Sequence, residues 1–509
     1  MKKYFVSLIL VLILFVLCSC EREEKQILRV YNCVDYINED VLDIFIEEHN
    51  GEIEIVYDTF ETNESMYNTL RTGKTSYDLV CPSDYMIQKM IREDRLEQFD
   101  FENYDLDTYQ TYASPYILNL FDNTKDDKGI SWSNYAACYM WGTLGVAYNP
   151  EILAEAKELE DFDFDSWEYF LDPDFNGLIS IKDSVRDTYC VGTLLAFKDE
   201  LDQVENKAAE EYQTKVAEVI NRCDDNAIAK VEVSLRNIKN NIYGLEVDSG
   251  KGDIVTGKIA ANLAWSGDAV YSIDLAEDED IELRYMVPNE GGNVWFDAWV
   301  MPKGANKELA QEFINFLSRP DIAAMNMEEI GYTSGIAGVD IAELIDDWYG
   351  EAGNLAAVED AEEALANAKT AEEKEEAEEA LAEAKAYLDE ATYEECDLTY
   401  FFNGTLPEND EHIKDIDGEK RIIFKIDTSY LGRQFSTQYP DEETLLRCGV
   451  MKDFKEQNEK VLKMWINVKA NKAGPILIGS LIGFVVLVGF IALYIKWDYI
   501  VRKRRLKKK

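Results

Sequence analysis

Between Ile27 and Asp94, short runs rich in β-branched residues alternate with segments whose apolar positions recur every three or four residues. The first pattern suits buried strands and the second suits amphipathic helices. Ile27–Asn32 and Ile53–Tyr57 read as strands with a helix over Glu39–His49 between them. Ser65–Thr72 is helical, Tyr77–Cys81 is a short strand and Asp84–Asp94 is helical again. A β-α-β-α-β order predicts a parallel sheet with right-handed crossovers, and such sheets bind ligands at the carboxyl ends of their strands. Cys33–Tyr36 and Pro82–Tyr85 fall at those ends, which singles out Tyr36, Ser83 and Tyr85.

Trp141–Tyr148 reads as a strand leaving this first lobe. Beyond it, Asp165–Leu171, Thr188–Phe197 and Ala208–Arg222 are helical, and Leu178–Ile181 and Ile259–Trp265 are strands. Helices then open at Asp268 and at Pro320, with a further one over Leu309–Leu317. Two α/β units joined by extended crossings predict two lobes around a cleft. Residues 27–145 with 296–340 form the first lobe, and 146–295 with 395–470 form the second. The stretch 352–394 departs from this pattern. It is mostly Ala, Glu, Lys and Leu, and Ala361–Lys369 recurs as Ala377–Lys385. Its helix propensity is high throughout. Thr370 followed by Glu373 fits a capping box and hence a hairpin, although one continuous helix fits the composition as well. The stretch reads as a spacer without ligand chemistry of its own, or else as a docking element for a partner.

Two further apolar segments carry targeting information. Lys2 and Lys3 precede an apolar run from Tyr4 to Leu17 that is short for a membrane span, as in an export signal. Residues 1–20 end in Leu17-Cys18-Ser19-Cys20, which resembles a bacterial lipobox with Cys20 as the lipidated residue. Residues 473–495 carry no charge and, at ~1.5 Å per residue, reach about 34 Å, enough for a transmembrane helix. Lys496, Trp497, Tyr499 and the basic residues 502–509 follow, which places the tail 496–509 in the cytoplasm and the bulk of the chain outside.

The chain has 100 acidic and 51 basic residues, a formal net charge of −49. That sign excludes nucleic acid as a partner, since its binding needs clustered Lys and Arg. It suits a cationic ligand, although most of these acids solvate the surface. Within Gly291–Trp299, Trp295 and Asp297 lie two residues apart, so on a strand both look into one pocket. An aromatic face beside a carboxylate is what an organic cation needs. Trp265 with Asp268, and Tyr36 with Asp35, repeat the theme.

Enzymatic signatures are missing. Only His49 and His412 are present, and both read as surface residues without a metal or triad context. Gly73-Lys74-Thr75 lacks the glycine that a phosphate loop requires, and no Gly-x-Ser-x-Gly elbow or dinucleotide fingerprint occurs. The nine cysteines show no zinc spacing, and no cofactor or metal is implied. Cys33 and Cys81 close neighbouring strands, either as a disulfide or as small buried residues.

Val30–Ile37, Thr59–Tyr67, Tyr77–Tyr85, Trp141–Thr143, Trp265–Asp268, the Trp295 run, Ile330–Ser334 and Tyr439–Glu442 together resemble the bacterial polyamine-binding proteins, the spermidine/putrescine receptors of ABC importers. The resemblance covers most of 27–340 and about 427–470. It implies an α/β, two-lobed periplasmic-binding-protein fold of type II whose interlobe cleft closes on a linear polyamine. It implies an aromatic box of Tyr36, Tyr85, Trp265, Trp295 and Tyr332. It assigns Asp35, Asp187, Asp268 and Asp297 to the amines, with a hydrogen bond from Ser83. The partners implied are a polyamine, an ABC permease with its ATPase, and the membrane. Cys33 stands where the family usually has Trp, Ser184 where some receptors place an acid, and Met451 where some have Gln. A tethered polyamine sensor, or an enzyme acting on a cationic substrate, are the other readings. The short tail speaks against the first and the missing nucleophile against the second.

Overall fold

The structure, a computed structural model, describes residues 25–470 apart from 74, 127 and 278. The signal segment with Cys20, the apolar span 473–495 and the basic tail 496–509 lie outside the described residues. Among the described residues, no helix is long and apolar enough to cross a membrane. The chain divides into two compact units, 1–458 and 459–509. The described residues of the second are carried by the helix Asn458–Lys469, where Lys469 Nζ stands 5.6 Å from the centroid of the Trp465 ring.

The strands are β1 (Gln26–Cys33), β2 (Ile53–Phe60), β3 (Leu79–Val80), β4 (Ala136–Tyr148), β5 (Ile179–Lys182), β6 (Gly244–Glu246), β7 (Ala261–Trp265), β8 (Arg284–Met286), β9 (Gly292–Val300), β10 (Thr333–Ser334), β11 (Tyr393–Asp397), β12 (Ile413–Ile416), β13 (Glu419–Asp427) and β14 (Cys448–Gly449). The main sheet runs β2-β1-β3-β9-β4-β7-β5-β6, with β8 and β10 added to β4 and β14 to β9. β1 and β2 are parallel from Gln26↔Ile53 to Cys33↔Phe60, and β1 is also parallel to β3. On the far side β5 is parallel to both β6 and β7. These are the two parallel units that the hydropathy pattern predicts.

β4 joins them. It is buried along its whole length, because both of its faces are covered. Ala136–Thr143 pairs antiparallel with β9, and Leu144–Tyr148 pairs antiparallel with β7. The strand therefore changes partner at Thr143/Leu144 and joins the two sets of parallel strands.

The helices Asp40–Glu48, Asn63–Thr72, Asp84–Arg92, Val185–Ala196, Glu210–Ile220, Ser266–Glu277, Lys307–Leu317 and Pro320–Ile330 lie close to the expected spans. Asp165–Leu171, expected as a helix, is a short 3-10 turn over Trp167–Leu171, capped by the Ser166 hydroxyl. The Ala/Glu-rich stretch is a hairpin of Glu351–Asn367 and Ala371–Glu390. Thr370 and Glu373 form the capping box that breaks it, and Lys385 pairs with Glu362 across it at 2.7 Å. A second sheet, β11-β13-β12, follows the hairpin. Phe401, beside this sheet, stacks on Trp141 of β4 at 5.9 Å.

His412 corrects the expectation of a surface histidine. It is 8% exposed, stacked on Phe424 at 4.2 Å and held between Asp410 (2.7 Å) and Asp346 (2.9 Å). Burial lowers its pKa, but the two carboxylates outweigh burial and raise it above the ordinary histidine value. Cys33 and Cys81 are both free thiols, as are the other described cysteines. Burial pushes the Cys81 thiol well up, so it behaves as a small core residue.

Candidate functional site

Most of the expected residues lie at strand ends around one cleft. Tyr36 follows β1, Ser83 and Tyr85 follow β3, Asp187 follows β5, Asp268 follows β7, and Tyr332 precedes β10. Trp295 and Asp297 stand on one face of β9. The Tyr36 hydroxyl donates to Asp297 Oδ2 at 2.9 Å, and Ser83 is a second donor to that carboxylate. Tyr332 packs edge-on against Tyr36 (5.7 Å) and against Trp295 (5.6 Å), and its hydroxyl donates to Asp268 Oδ1 at 3.0 Å. A chain of contacts therefore links Asp297, Tyr36, Tyr332, Trp295 and Asp268.

Two glycines make this packing possible. A Cβ on Gly267 would stand 2.5 Å from the Tyr332 ring, and one on Gly142 would stand 2.8 Å from Trp295 Cζ2. Neighbouring shells hold the polar groups in place. Asn63 Nδ2 donates to Ser83 Oγ at 2.9 Å, and the Tyr139 hydroxyl donates to the Tyr36 carbonyl at 3.1 Å. Asp187 lies in the first turn of its helix, with its backbone N–H on the capping Ser184 hydroxyl. The Trp265 indole hydrogen-bonds the Asp187 carboxylate.

The electrostatics are dominated by desolvated acids. Burial raises the Asp297 carboxyl above the ordinary range, with Ser83 and Tyr36 offsetting part of the rise. Asp187 is raised in the same way. Burial pushes Asp84 up to about 7 against the lowering field of Arg186, and its Oδ2 has no hydrogen-bond partner. Among the described residues no lysine or arginine pairs with Asp297.

The structure differs from expectation at several positions. Asp35 is exposed on a left-handed turn (φ 51°), and the carboxylate that Tyr36 meets is Asp297. Tyr85 donates to Glu64 at 3.0 Å, and its ring face is covered by the Arg186 guanidinium at 4.3 Å. Lys182, Arg186, Asp84 and Asn63 were not anticipated. Lys182 ends a parallel strand, a position that could have flagged it.

Residues 451–453 bridge the lobes. Gln88 donates to the Met451 carbonyl (3.1 Å) and accepts from the Asp453 N–H (3.0 Å), while Arg92 pairs with Asp453. On the other side Met451 N–H donates to Asn293 (3.0 Å), Lys452 N–H to Asn221 (2.6 Å), and Arg186 to the Lys452 carbonyl (3.2 Å). A separate cavity of ≈ 700 Å³ lies between β8 and residues 428–433, lined by Arg284, Arg433 and Glu277 among others. Both arginines already pair with local acids.

Two parallel α/β units with their strand ends facing one polar, aromatic cleft define a solute-binding protein. Residues 40–357 match the family model described as bacterial extracellular solute-binding protein, and the chain belongs to that family. Its members are binding proteins, not enzymes. The chain is 26% identical over 317 residues to the spermidine/putrescine-binding periplasmic protein of Escherichia coli, covering 62% of this chain and 79% of that one. It is 28% identical over 324 residues to the putrescine-binding periplasmic protein SpuD of Pseudomonas aeruginosa, covering 62% and 79%. The fold matches the spermidine/putrescine ABC transporter substrate-binding protein PotD of Streptococcus pneumoniae with a TM-score of 0.54, at 23% identity, over 87% of this chain and 99% of that one.

Proposed function

We propose that this protein captures a polyamine in the cleft and delivers it, from outside the cytoplasm, to the permease of an ABC importer. The observation that carries this reading is Asp297, a part-buried, desolvated carboxylate that accepts from the neutral hydroxyls of Tyr36 and Ser83 and stands beside the aromatic faces of Tyr36, Trp295 and Tyr332. Burying a carboxylate without a cation is costly, and an ammonium supplied by a ligand removes that cost. Aromatic faces cover the methylenes and attract the charge, at about 0.5–2 kcal/mol per cation–π contact. Asp187 and Asp84 add negative charge on either side of the cleft, and a ligand carboxylate would be repelled. The names of the similar proteins from Escherichia coli and Pseudomonas aeruginosa agree with this chemistry.

In this reading Asp187 and Asp297 meet amines, and Ser83 fixes Asp297. Closure is a hinge motion of β4 and β9. The span 473–495 tethers the protein beside its permease, with Cys20 as a second, lipid anchor. Titration calorimetry of the full-length protein with putrescine, spermidine, an amino acid and a neutral sugar is the test. Heat with polyamines alone is the expected result. Equal binding of the sugar, or no heat with any polyamine, removes the reading.

A further inference from the structure

Lys182 places a resident ammonium inside the cleft. Its side chain is 1% exposed at the end of β5. Nζ lies 2.8 Å from Asp268 Oδ2, 3.3 Å from the Val247 carbonyl and 3.5 Å from Glu246 Oε1, and it stands 4.7 Å from the centroid of the Trp265 ring. Of the three ammonium hydrogens, two go to Asp268 Oδ2 and the Val247 carbonyl, while Glu246 Oε1 is an ion-pair neighbour without a hydrogen bond. Carboxylate, carbonyl and aromatic face together are the surroundings a buried primary amine needs, so the lysine is held rather than displaced. The other oxygen of Asp268 accepts from Tyr332 and faces Lys251 Nζ at 3.8 Å. Both oxygens of Asp268 are therefore engaged by the protein itself.

The consequence falls on ligand length and charge. At the Asp297 end, Asp297 has no resident cation among the described residues, and Asp84 and Asp187 share the field of the Arg186 guanidinium, so ligand ammonium groups have negative charge to answer there. A further ligand ammonium reaching toward Trp265 meets the like charge of Lys182 and finds Asp268 occupied. We propose that Lys182 is a specificity-determining residue: it fills the amine position at Asp268, so that the cleft selects a diamine over a triamine. This rests on the polyamine reading given above.

The test is titration calorimetry of the full-length protein at pH 7.5 with putrescine as diamine and spermidine as triamine. The native protein is expected to bind putrescine more tightly. Lys182→Met keeps the apolar stem and removes the charge, and it should move the putrescine/spermidine affinity ratio toward spermidine by at least about tenfold. Because this variant leaves Asp268 and Glu246 uncompensated, Lys182→Met with Glu246→Gln is measured beside it, with the same shift expected and folding followed by thermal melting. Tighter binding of spermidine by the native protein overturns the inference, and so does an unchanged ratio in a folded variant. Absence of binding to either amine by the native protein overturns the polyamine reading itself.

Discussion

Asp297 and Asp268 are carboxylates of one cleft held in opposite ways. Asp297 accepts from the hydroxyls of Tyr36 and Ser83, and burial raises its pKa. Asp268, 7% exposed, meets the Lys182 ammonium at 2.8 Å and the Tyr332 hydroxyl at 3.0 Å. Tyr332 touches both ends, through its ring at Tyr36 and its hydroxyl at Asp268. Burial by itself therefore does not mark a ligand carboxylate. What marks it is burial without a resident cation, because such a group raises the energy of the empty protein and lowers it when a cation arrives.

The largest effect should come from removing the unanswered charge. Asp297→Asn keeps the shape, turns one acceptor oxygen into a donor and removes the charge. A desolvated pair broken at one partner costs ~2–5 kcal/mol, which is at least about thirtyfold in Kd by calorimetry. The same variant should melt at a higher temperature than the native protein in the absence of ligand, since its desolvation cost is gone. Asp268→Asn should do the reverse to stability. It strips Lys182 of its shortest ion pair and should lower stability by on the order of 3 kcal/mol, read from a denaturant titration. If the two variants change stability with the same sign, the contrast between the cleft's ends is wrong.

The two ends were unequally legible in the sequence. Trp295 and Asp297 obey the period of two of a strand, and Tyr36, Ser83 and Tyr85 follow from the carboxyl-end rule for parallel sheets. Lys182 escaped because a lysine closing an apolar strand reads as solvated; its burial depends on Asp268 and Glu246, which are remote in sequence. Asp35 misled because adjacency in sequence says nothing about direction when the backbone turns left-handed. The helix Asp225–Asn241 carries a legible signal, since Asp224 caps it and Ala227, Ile228, Val231, Leu235 and Ile238 form its buried stripe. β11 had no such signal: most of its residues are exposed and acidic, so its pairing with β13 carries no hydropathy period.

Aromatic truncation should rank next. Trp295→Ala removes one face at the Asp297 end and should weaken polyamine binding by about 0.5–2 kcal/mol, with little change in melting. Trp299 lies four residues further along the same strand but is 2% exposed and packs on Tyr139 at 5.1 Å. Trp299→Ala should therefore unfold the protein more readily, by about 3–5 kcal/mol, and affect affinity only through stability. Comparable affinity losses at constant stability for both would place Trp299 in the cleft.

Acidity separates the ends in another way. Asp84, at about 7, must be ionised to oppose a ligand cation, so affinity should rise by roughly tenfold from pH 6 to pH 8. Stability of the empty protein should move oppositely. A carboxyl raised on folding binds more protons in the native state between the ordinary carboxylate range and about 7, so stability falls as pH rises through that window. His412 adds to the same slope. Its native pKa lies above the ordinary value, so its stabilisation is complete below the unfolded pKa and is lost as pH rises through the native one. His412→Asn should flatten the stability slope and leave the affinity slope unchanged. A change in the affinity slope would show that the second sheet is coupled to the cleft.

The smallest effect should come from the helical hairpin, which is the cleft's opposite in every respect. Glu351–Asn367 has no buried residue, and the pairs along the hairpin, such as Lys385–Glu362 and Lys374–Glu378, are exposed and so worth little. Its two ends are tied to one place on β13. Gly350 bridges Ile426, Tyr393 pairs with Asp427, and Asn354 Nδ2 donates to both the Tyr393 hydroxyl and Asp427 Oδ2 at 2.9 Å. The chain thus leaves and re-enters the core at neighbouring points, and a short Gly/Ser loop can close the gap left by residues 356–386 at a small entropy cost. This deletion keeps Asn354 and the Tyr387 hydroxyl, which bonds Ser429 at 2.8 Å. Putrescine affinity should stay within about twofold of native, since no residue of the hairpin reaches a cleft carboxylate and surface charges are screened beyond ~10 Å at moderate salt. A larger loss of affinity in the purified protein would tie the hairpin to closure of the lobes. A loss confined to uptake by cells, with affinity intact, would make it the docking element for a partner.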